Sequence, residues 1–92
     1  TVAKVIDFIT ENFAENISLS KASDMAAMSK TAFARNFQKF TGSKFSEFVI
    51  RVRIGQACSM LQATDLTVAT ICHEVGYNNL ANFNRHFLKV KE

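Results

Sequence analysis

Two arginines occupy equivalent positions in a repeated pattern and have the chemistry to recognise DNA bases. Phe33-x-Arg35-x-Phe37 recurs 50 residues later as Phe83-x-Arg85-x-Phe87. Side chains four residues apart share a helix face, so the Phe rings would point inward and leave the arginine on another face. Arginine is the most common specific reader of guanine, through two parallel N–H donors. The pattern favours DNA recognition over the alternative that both arginines are ordinary solvated side chains.

The same search for reactive residues does not indicate a catalytic or metal-binding set. Cys72 and His73 are neighbours on a predicted helix, so their side chains diverge by about 100° and cannot pair as nucleophile and base. His86 lies on a different predicted helix, and Cys58 and Cys72 have no CxxC or other metal-ligand spacing. We therefore predict that the chain is not an enzyme and uses no metal or cofactor. Both cysteines are interpreted as small thiols in a reducing cytosol.

The composition predicts one small helical domain that could position such arginines. The 92 residues are 48% hydrophobic and include nine Phe, no Pro and three Gly, which favours helices around a buried aromatic core. The net charge of +3 permits a nucleic-acid partner but does not require one. No signal peptide or membrane-length apolar run is visible, so we expect a cytoplasmic location. Because the first residue is Thr rather than Met, we expect a piece of a longer protein.

Hydrophobic periodicity predicts six helices. Their ranges are 2–13, 19–27, 30–40, 44–63, 68–75 and 79–90. The expected N-terminal caps are Ser18, Ser29, Thr67 and either Asn78 or Asn79. The same periodicity points Phe40, Leu61 and Val68 inward and leaves Ile50 off the main stripe of the fourth helix.

The second and third predicted helices recur as the fifth and sixth. The alignment, at an offset of 49 residues, pairs Leu19, Ala22, Ser23 and Ala26 with Val68, Ile71, Cys72 and Val75. In the turn that follows, Gly76 aligns with Ala27, so Ala27 is either slightly strained or lies in a different turn. A short helix, a tight turn and a second helix form a helix-turn-helix unit, whose second helix can enter the major groove of DNA.

The predicted fold is therefore all-α and homeodomain-like. Two helix-turn-helix units, at about 17–41 and 66–90, are joined by a linker helix at about 44–63. That linker would be roughly 30 Å long and would hold the two second helices about one DNA turn apart. One chain could then read two successive major-groove segments of double-stranded DNA.

Residues along nearly the whole chain resemble the DNA-binding domain of AraC/XylS-type transcription regulators. They are Ile17-Ser18-Leu19, Ser29, Phe33-x-Arg35-x-Phe37 and Lys39-x-x-Gly42; then Arg51-Val52-Arg53-Ile54 and Ala57-x-x-Met60-Leu61; then Thr64-Asp65-Leu66-Thr67-Val68-Ala69-x-Ile71-Cys72-x-x-Val75-Gly76-Tyr77 and Phe83-x-Arg85-x-Phe87. The resemblance implies a bacterial promoter-binding regulator in the nucleoid, usually an activator that contacts RNA polymerase. It also implies a separate N-terminal sensing domain, and no small molecule bound by the DNA-binding domain itself.

The resemblance also implies which residues contact DNA. The positions that match base-reading sites are Thr31, Ala34, Arg35, Leu80, Ala81, Asn84 and Arg85. The expected contacts to the DNA backbone are Ser29, Lys30, Lys39, Asn79, Asn82 and Lys89, of which Ser29, Lys30, Asn79 and Asn82 match phosphate-contact or capping positions. The apolar readers would touch thymine methyl groups, although Leu80 has the alternative of packing against the fifth helix.

The sequence departs from the family pattern at two positions, and it also allows an alternative function. Lys44 stands where the family often has Pro, and Ala27 replaces the usual glycine of the first turn. The alternative is a helical protein-interaction module, in which Ile50 with Met60 or Leu80 forms a docking patch. Binding driven by phosphates weakens steeply with salt, whereas apolar docking does not, so salt dependence separates the two hypotheses.

Overall fold

The computed structural model describes residues 1–91 and contains six α-helices in that range. Their bounds are α1 Val2–Asn12, α2 Leu19–Met25, α3 Lys30–Thr41, α4 Phe45–Ala63, α5 Val68–Glu74 and α6 Leu80–Lys91. Each boundary lies within two residues of the predicted one. The molecule measures 41 × 24 × 21 Å, with α4 linking a first unit (α1–α3) to a second unit (α5 and α6).

Side-chain caps begin the helices of both units, as the sequence predicts. The hydroxyls of Ser18, Ser29 and Thr67 accept hydrogen bonds from the backbone N–H three residues on, at 3.0–3.1 Å. Asn79, rather than Asn78, caps α6, because its Oδ1 accepts from the backbone N–H of Asn82 at 2.8 Å. Each cap satisfies a donor that would otherwise lack a partner at the helix start.

Two hydrophobic clusters, one in each unit, form the core. The first cluster contains the aromatic group Phe33, Phe37, Phe45 and Phe48, whose rings meet at centroid distances of 5.2–5.8 Å. The second cluster is built on Ile54, Ala57, Ile71, Cys72, Val75, Tyr77 and Phe83. Helix α4 contributes to both, with Val49 in the first cluster and Ile54 in the second. The linker helix is therefore part of each core rather than a bare connector.

Three side chains predicted to face inward are exposed instead. Phe40 is 66% exposed, Val68 47% and Leu61 39%. All three lie within two residues of a helix end. Ile50, which the sequence places off the main apolar stripe of α4, is more buried than expected. It is only partly exposed and packs against the second cluster.

The two helix-turn-helix turns have the same hydrogen bonds, so Ala27 is strained rather than placed in a different turn. In the first turn the N–H groups of Ala27 and Met28 donate to the carbonyls of Asp24 and Ser23, both at 3.0 Å. In the second, Gly76 and Tyr77 donate to His73 and Cys72 at the same distance. The φ angles are +56° at Ala27 and +102° at Gly76. An L-residue with a Cβ is disfavoured at such a positive φ.

We expect Ala27→Gly to raise the free energy of unfolding by about 0.5–1 kcal/mol. Glycine removes the cost of the left-handed conformation, and the gain is partly offset by the greater freedom of the unfolded chain. Urea denaturation followed by circular dichroism measures the change. Ala26→Gly is the control and should destabilise, because Ala26 has a right-handed φ of −86° and is buried. A less stable Ala27→Gly protein would contradict the strain argument.

Candidate nucleic-acid interface

Helices α3 and α6 each bury one face in a core cluster and leave the opposite face exposed. Phe33 and Phe37 are fully buried, and Phe83 is 2% exposed. Arg35 and Arg85, between the Phe positions, are exposed. Since both helices are the second helix of a helix-turn-helix unit, each is placed to offer its polar face to a DNA groove.

Six of the seven residues predicted to contact bases are exposed on these faces. The exposed residues are Thr31, Arg35, Leu80, Ala81, Asn84 and Arg85, and Ala34 is half-buried. Leu80 is 45% exposed and lines a small surface pocket with Ala69 and His73 of α5. It therefore lies beside α5 and still has a free apolar surface.

Asn82 holds Arg85 in place, a contact that the sequence analysis did not identify. The Oδ1 atom of Asn82 accepts a hydrogen bond from the Arg85 guanidinium, and its backbone N–H donates to the Asn79 cap. Asn82 is half-buried, and its contact to a phosphate stays a prediction beside this contact to Arg85. The i, i+3 spacing of Asn82 and Arg85 was the available signal, because such side chains are neighbours on a helix.

The other five residues predicted to contact the DNA backbone are exposed on α3 and α6 or at their starts. They are Ser29, Lys30, Lys39, Asn79 and Lys89. Ser29 and Asn79 use their side-chain oxygens as caps, as the family pattern allowed. Backbone N–H groups and lysine side chains at a helix start are suitable donors for phosphate oxygens.

A groove of about 770 Å³ lies beside the contact between the two units and contains an arginine to which the sequence analysis assigned no role. Arg53 of α4 lines this groove together with Asn16, Asn82, Arg85 and His86. The Arg53 side chain donates to the backbone carbonyls of Phe13 and Glu15, at 2.7 and 2.8 Å. Its position within the Arg51-x-Arg53 pair gave no indication of these contacts, because the acceptors lie 38–40 residues away in the sequence.

His86 lies in the same groove and contacts Tyr77, with 2.7 Å between Nδ1 and the phenol oxygen. Burial lowers the pKa of His86, and the positive charges of Arg85, Lys89 and Arg53 lower it further. Burial also raises the pKa of Tyr77. At neutral pH the pair is therefore uncharged, and the folded chain disfavours a proton on His86.

We expect the melting temperature to fall as the pH drops from about 7.5 to about 5.5, with His86 contributing to the fall. The unfolded chain protonates this histidine near its ordinary pKa of 6.5, while the folded pKa is lower, so protonation favours unfolding. Scanning calorimetry at several pH values measures the effect, and His86→Gln should flatten the profile. His73→Gln, which replaces an exposed histidine of α5, should leave it steep. An unchanged slope in His86→Gln would refute the assignment.

Cys72 and His73 have different environments although they are neighbours in the sequence. Cys72 is buried, which raises the pKa of its thiol, whereas His73 beside it is exposed. Within residues 1–91, no three His, Cys, Asp or Glu side chains lie close enough together to hold a metal ion. In the same range, no helix has the length and apolar character needed to span a membrane.

Two helix-turn-helix units with exposed second helices on one linker helix define a DNA-binding domain of the kind found in transcription regulators. A family model described as "Helix-turn-helix domain" matches residues 22–92. The chain belongs to this family, whose members are AraC-type helix-turn-helix domains. Its function is DNA binding in transcription regulation.

Similar proteins match almost all of the chain in sequence or in structure. The HTH-type transcriptional activator Btr of Bacillus subtilis is 28% identical over 84 residues, 91% of this chain but 16% of Btr. The DNA-binding domain of AdpA, solved with a target DNA, has a TM-score of 0.91 and 26% identity and covers 96% of this chain and 79% of that one. A probable AraC family transcriptional regulator of Rhodopseudomonas palustris has a TM-score of 0.83 and 28% identity. The match covers 96% of this chain and 83% of that one.

Proposed function

We propose that α3 and α6 enter two successive major-groove segments on one face of promoter DNA. The observation that carries the proposal is the matched exposure of Arg35 and Arg85 on two helices whose Phe faces are buried. Successive major-groove segments on one face lie about 34 Å apart, and the 41 Å length of the molecule is sufficient to span them. The length of the molecule is therefore compatible with one chain occupying both segments.

Base reading is divided between hydrogen-bonding and apolar side chains. Arg35 and Arg85 suit guanine, through the two acceptors on its major-groove edge, and Asn84 suits adenine. The remaining readers, Thr31, Ala34, Leu80 and Ala81, would touch the methyl groups of thymines. Because few of the seven readers form bidentate hydrogen bonds, apolar contacts contribute a large part of the sequence preference.

The DNA backbone is held by Ser29, Lys30, Lys39, Asn79, Asn82 and Lys89. Phosphate contacts fix the position of a protein on the duplex without reading sequence. Each neutralised phosphate releases condensed cations, so the affinity should fall steeply with salt.

The proposed backbone role of Lys30 predicts a uniform loss of affinity. Lys30→Ala should weaken binding equally on selected and scrambled duplexes and lower the slope of log affinity against log salt by about one. Anisotropy titrations at several salt concentrations measure both quantities. Lys4→Ala removes the same charge from an exposed position of α1 and should change the slope less. Equal effects of the two variants would contradict a local phosphate contact at Lys30.

The length of Btr supports the proposal that this chain is part of a larger protein. The chain spans 16% of the length of Btr, so a separate sensing domain preceding this one is consistent with the family resemblance. Btr is described as a transcriptional activator, which supports activation. Contact with RNA polymerase at promoters in the bacterial nucleoid follows from the family resemblance. We propose the same role here.

The alternative of a protein-interaction module is less well supported. Ile50 and Met60 pack against the second cluster and are only partly exposed, so they do not form the predicted open patch with Leu80. An absence of DNA binding at low salt would nevertheless favour that alternative, because phosphate contacts are strongest there.

A further inference from the structure

The two units touch each other at a second place besides the linker helix α4. Phe13, which follows α1 in the first unit, packs against the core cluster of the second unit. Gly76, in the turn between α5 and α6, faces the backbone of Ala14 so closely that a Cβ there would lie 2.7 Å from the Ala14 carbonyl oxygen. The segment 13–15 of the first unit is therefore seated on the turn of the second unit.

Arg53, on the linker helix α4, stabilises the contact between segment 13–15 and the turn of the second unit. Its Nε and Nη2 atoms donate to the carbonyl oxygens of Phe13 and Glu15, at 2.7 and 2.8 Å. Its guanidinium also lies over the ring of Tyr77, 5.5 Å from the centroid. One side chain thus contacts the first unit by hydrogen bonds and the second by a cation–π interaction. We call segment 13–15, Arg53, Gly76 and Tyr77 the inter-unit joint.

The joint changes how the two recognition helices can move. A connection through α4 alone would let the units bend or twist about that helix. A second contact away from the helix axis restricts this motion, because bending would have to break the hydrogen bonds of Arg53 or separate Gly76 from Ala14. Lysine would keep only part of these contacts, since it lacks the planar fork of donors and stacks less well on an aromatic ring.

We propose that Arg53 is a positioning residue that fixes the separation of α3 and α6 and thereby selects the number of base pairs between the two DNA elements. The inference rests on the proposed function, in which both helices read one duplex. One inserted base pair moves an element by about 3.4 Å and rotates it by about 35° around the DNA axis. A rigid joint cannot follow that change, whereas a loosened joint can.

The test compares Arg53→Met with Arg51→Met on duplexes of different spacing. The probe is the bipartite duplex that the wild-type chain selects from a random pool, with versions one base pair shorter and longer. The wild type should prefer its selected spacing by roughly tenfold, and Arg53→Met should reduce this preference to about threefold or less. Arg51 is exposed two residues earlier on α4, so Arg51→Met removes the same charge and should keep the preference.

Single-element duplexes separate positioning from loss of folding. Arg53→Met should bind each element alone about as well as the wild type, a result that an unfolded protein could not give. If Arg53→Met does not fold by circular dichroism, Arg53→Lys replaces it and should show an intermediate spacing preference. A variant that binds single elements normally and keeps the full spacing preference overturns the inference. A wild type that binds both elements with no spacing preference also overturns the inference, whereas selection of a single element alone overturns the proposed two-groove function instead.

Gly76→Ala tests the joint from the other unit, with Gly42→Ala as its control. Both glycines have a positive φ, +102° and +79°, so both variants carry backbone strain. Only Gly76 has neighbours within 4 Å of the added Cβ. Gly76→Ala should therefore lose spacing preference, while Gly42→Ala should lose stability alone. Equal retention of the preference in both folded variants would contradict a role for the joint.

Discussion

Phe37→Ala is expected to lower the free energy of unfolding by about 3–5 kcal/mol. The Phe37 side chain is fully buried, and its ring meets those of Phe33, Phe45 and Phe48 at centroid distances of 5.2–5.6 Å. Its removal leaves a cavity between α3 and α4 that rigid neighbouring rings cannot fill. A small domain is stable by only about 5–15 kcal/mol, so the loss is a large share of the total. Chemical denaturation followed by circular dichroism measures it.

Phe40→Ala provides the matched control on the same helix. Phe40 is 66% exposed, so truncation should change the free energy of unfolding by less than about 0.5 kcal/mol. The sequence pattern predicts that both Phe37 and Phe40 are buried, whereas the structure shows that only Phe37 is. Equal losses in the two variants would show that the first core is not arranged as described.

Arg85→Ala is expected to cost about 1–3 kcal/mol of specific DNA binding, equivalent to roughly 5- to 150-fold in affinity. The guanidinium is exposed on α6 and is oriented by Asn82, which favours a fixed pair of hydrogen bonds to one base. Selection of DNA with the variant should show relaxed preference at one base position and unchanged preference elsewhere. Anisotropy titration on the wild-type site gives the loss of affinity.

Two controls distinguish a base contact of Arg85 from a general effect of its charge: binding to a scrambled duplex and the Arg51→Ala variant. Arg85→Ala should weaken binding to the selected duplex much more than to the scrambled one. Arg51, exposed on α4, carries the same charge but is outside the predicted base-contact set, so Arg51→Ala should affect both duplexes slightly. A loss that is the same on both duplexes would mean that Arg85 contacts only phosphate.

Most of the fold follows from periodicity, capping residues and the internal repeat. All six helices are predicted within two residues at each end, and Ser18, Ser29 and Thr67 cap them as expected. The errors at Phe40, Leu61 and Val68 all fall near helix ends. Periodicity identifies which side of a helix is apolar, but it does not show how far the neighbouring helix extends to cover that side.

The candidate site is predictable only in its local part. The exposed faces of α3 and α6 follow from the Phe spacing, because those rings define the buried face. The contacts of Arg53 join it to Phe13 and Glu15, 38–40 residues earlier in the chain, and no local pattern specifies such a pairing. The close approach of Gly76 to Ala14 depends in the same way on how the two units pack.

Selection of duplexes from a random-sequence pool, at two salt concentrations, tests the central claim most directly. If α3 and α6 enter successive major-groove segments, the recovered duplexes contain two elements about 10 base pairs apart, and their affinity falls steeply with salt. Recovery of a single short element, or of no enriched sequence at all, would contradict the two-groove account.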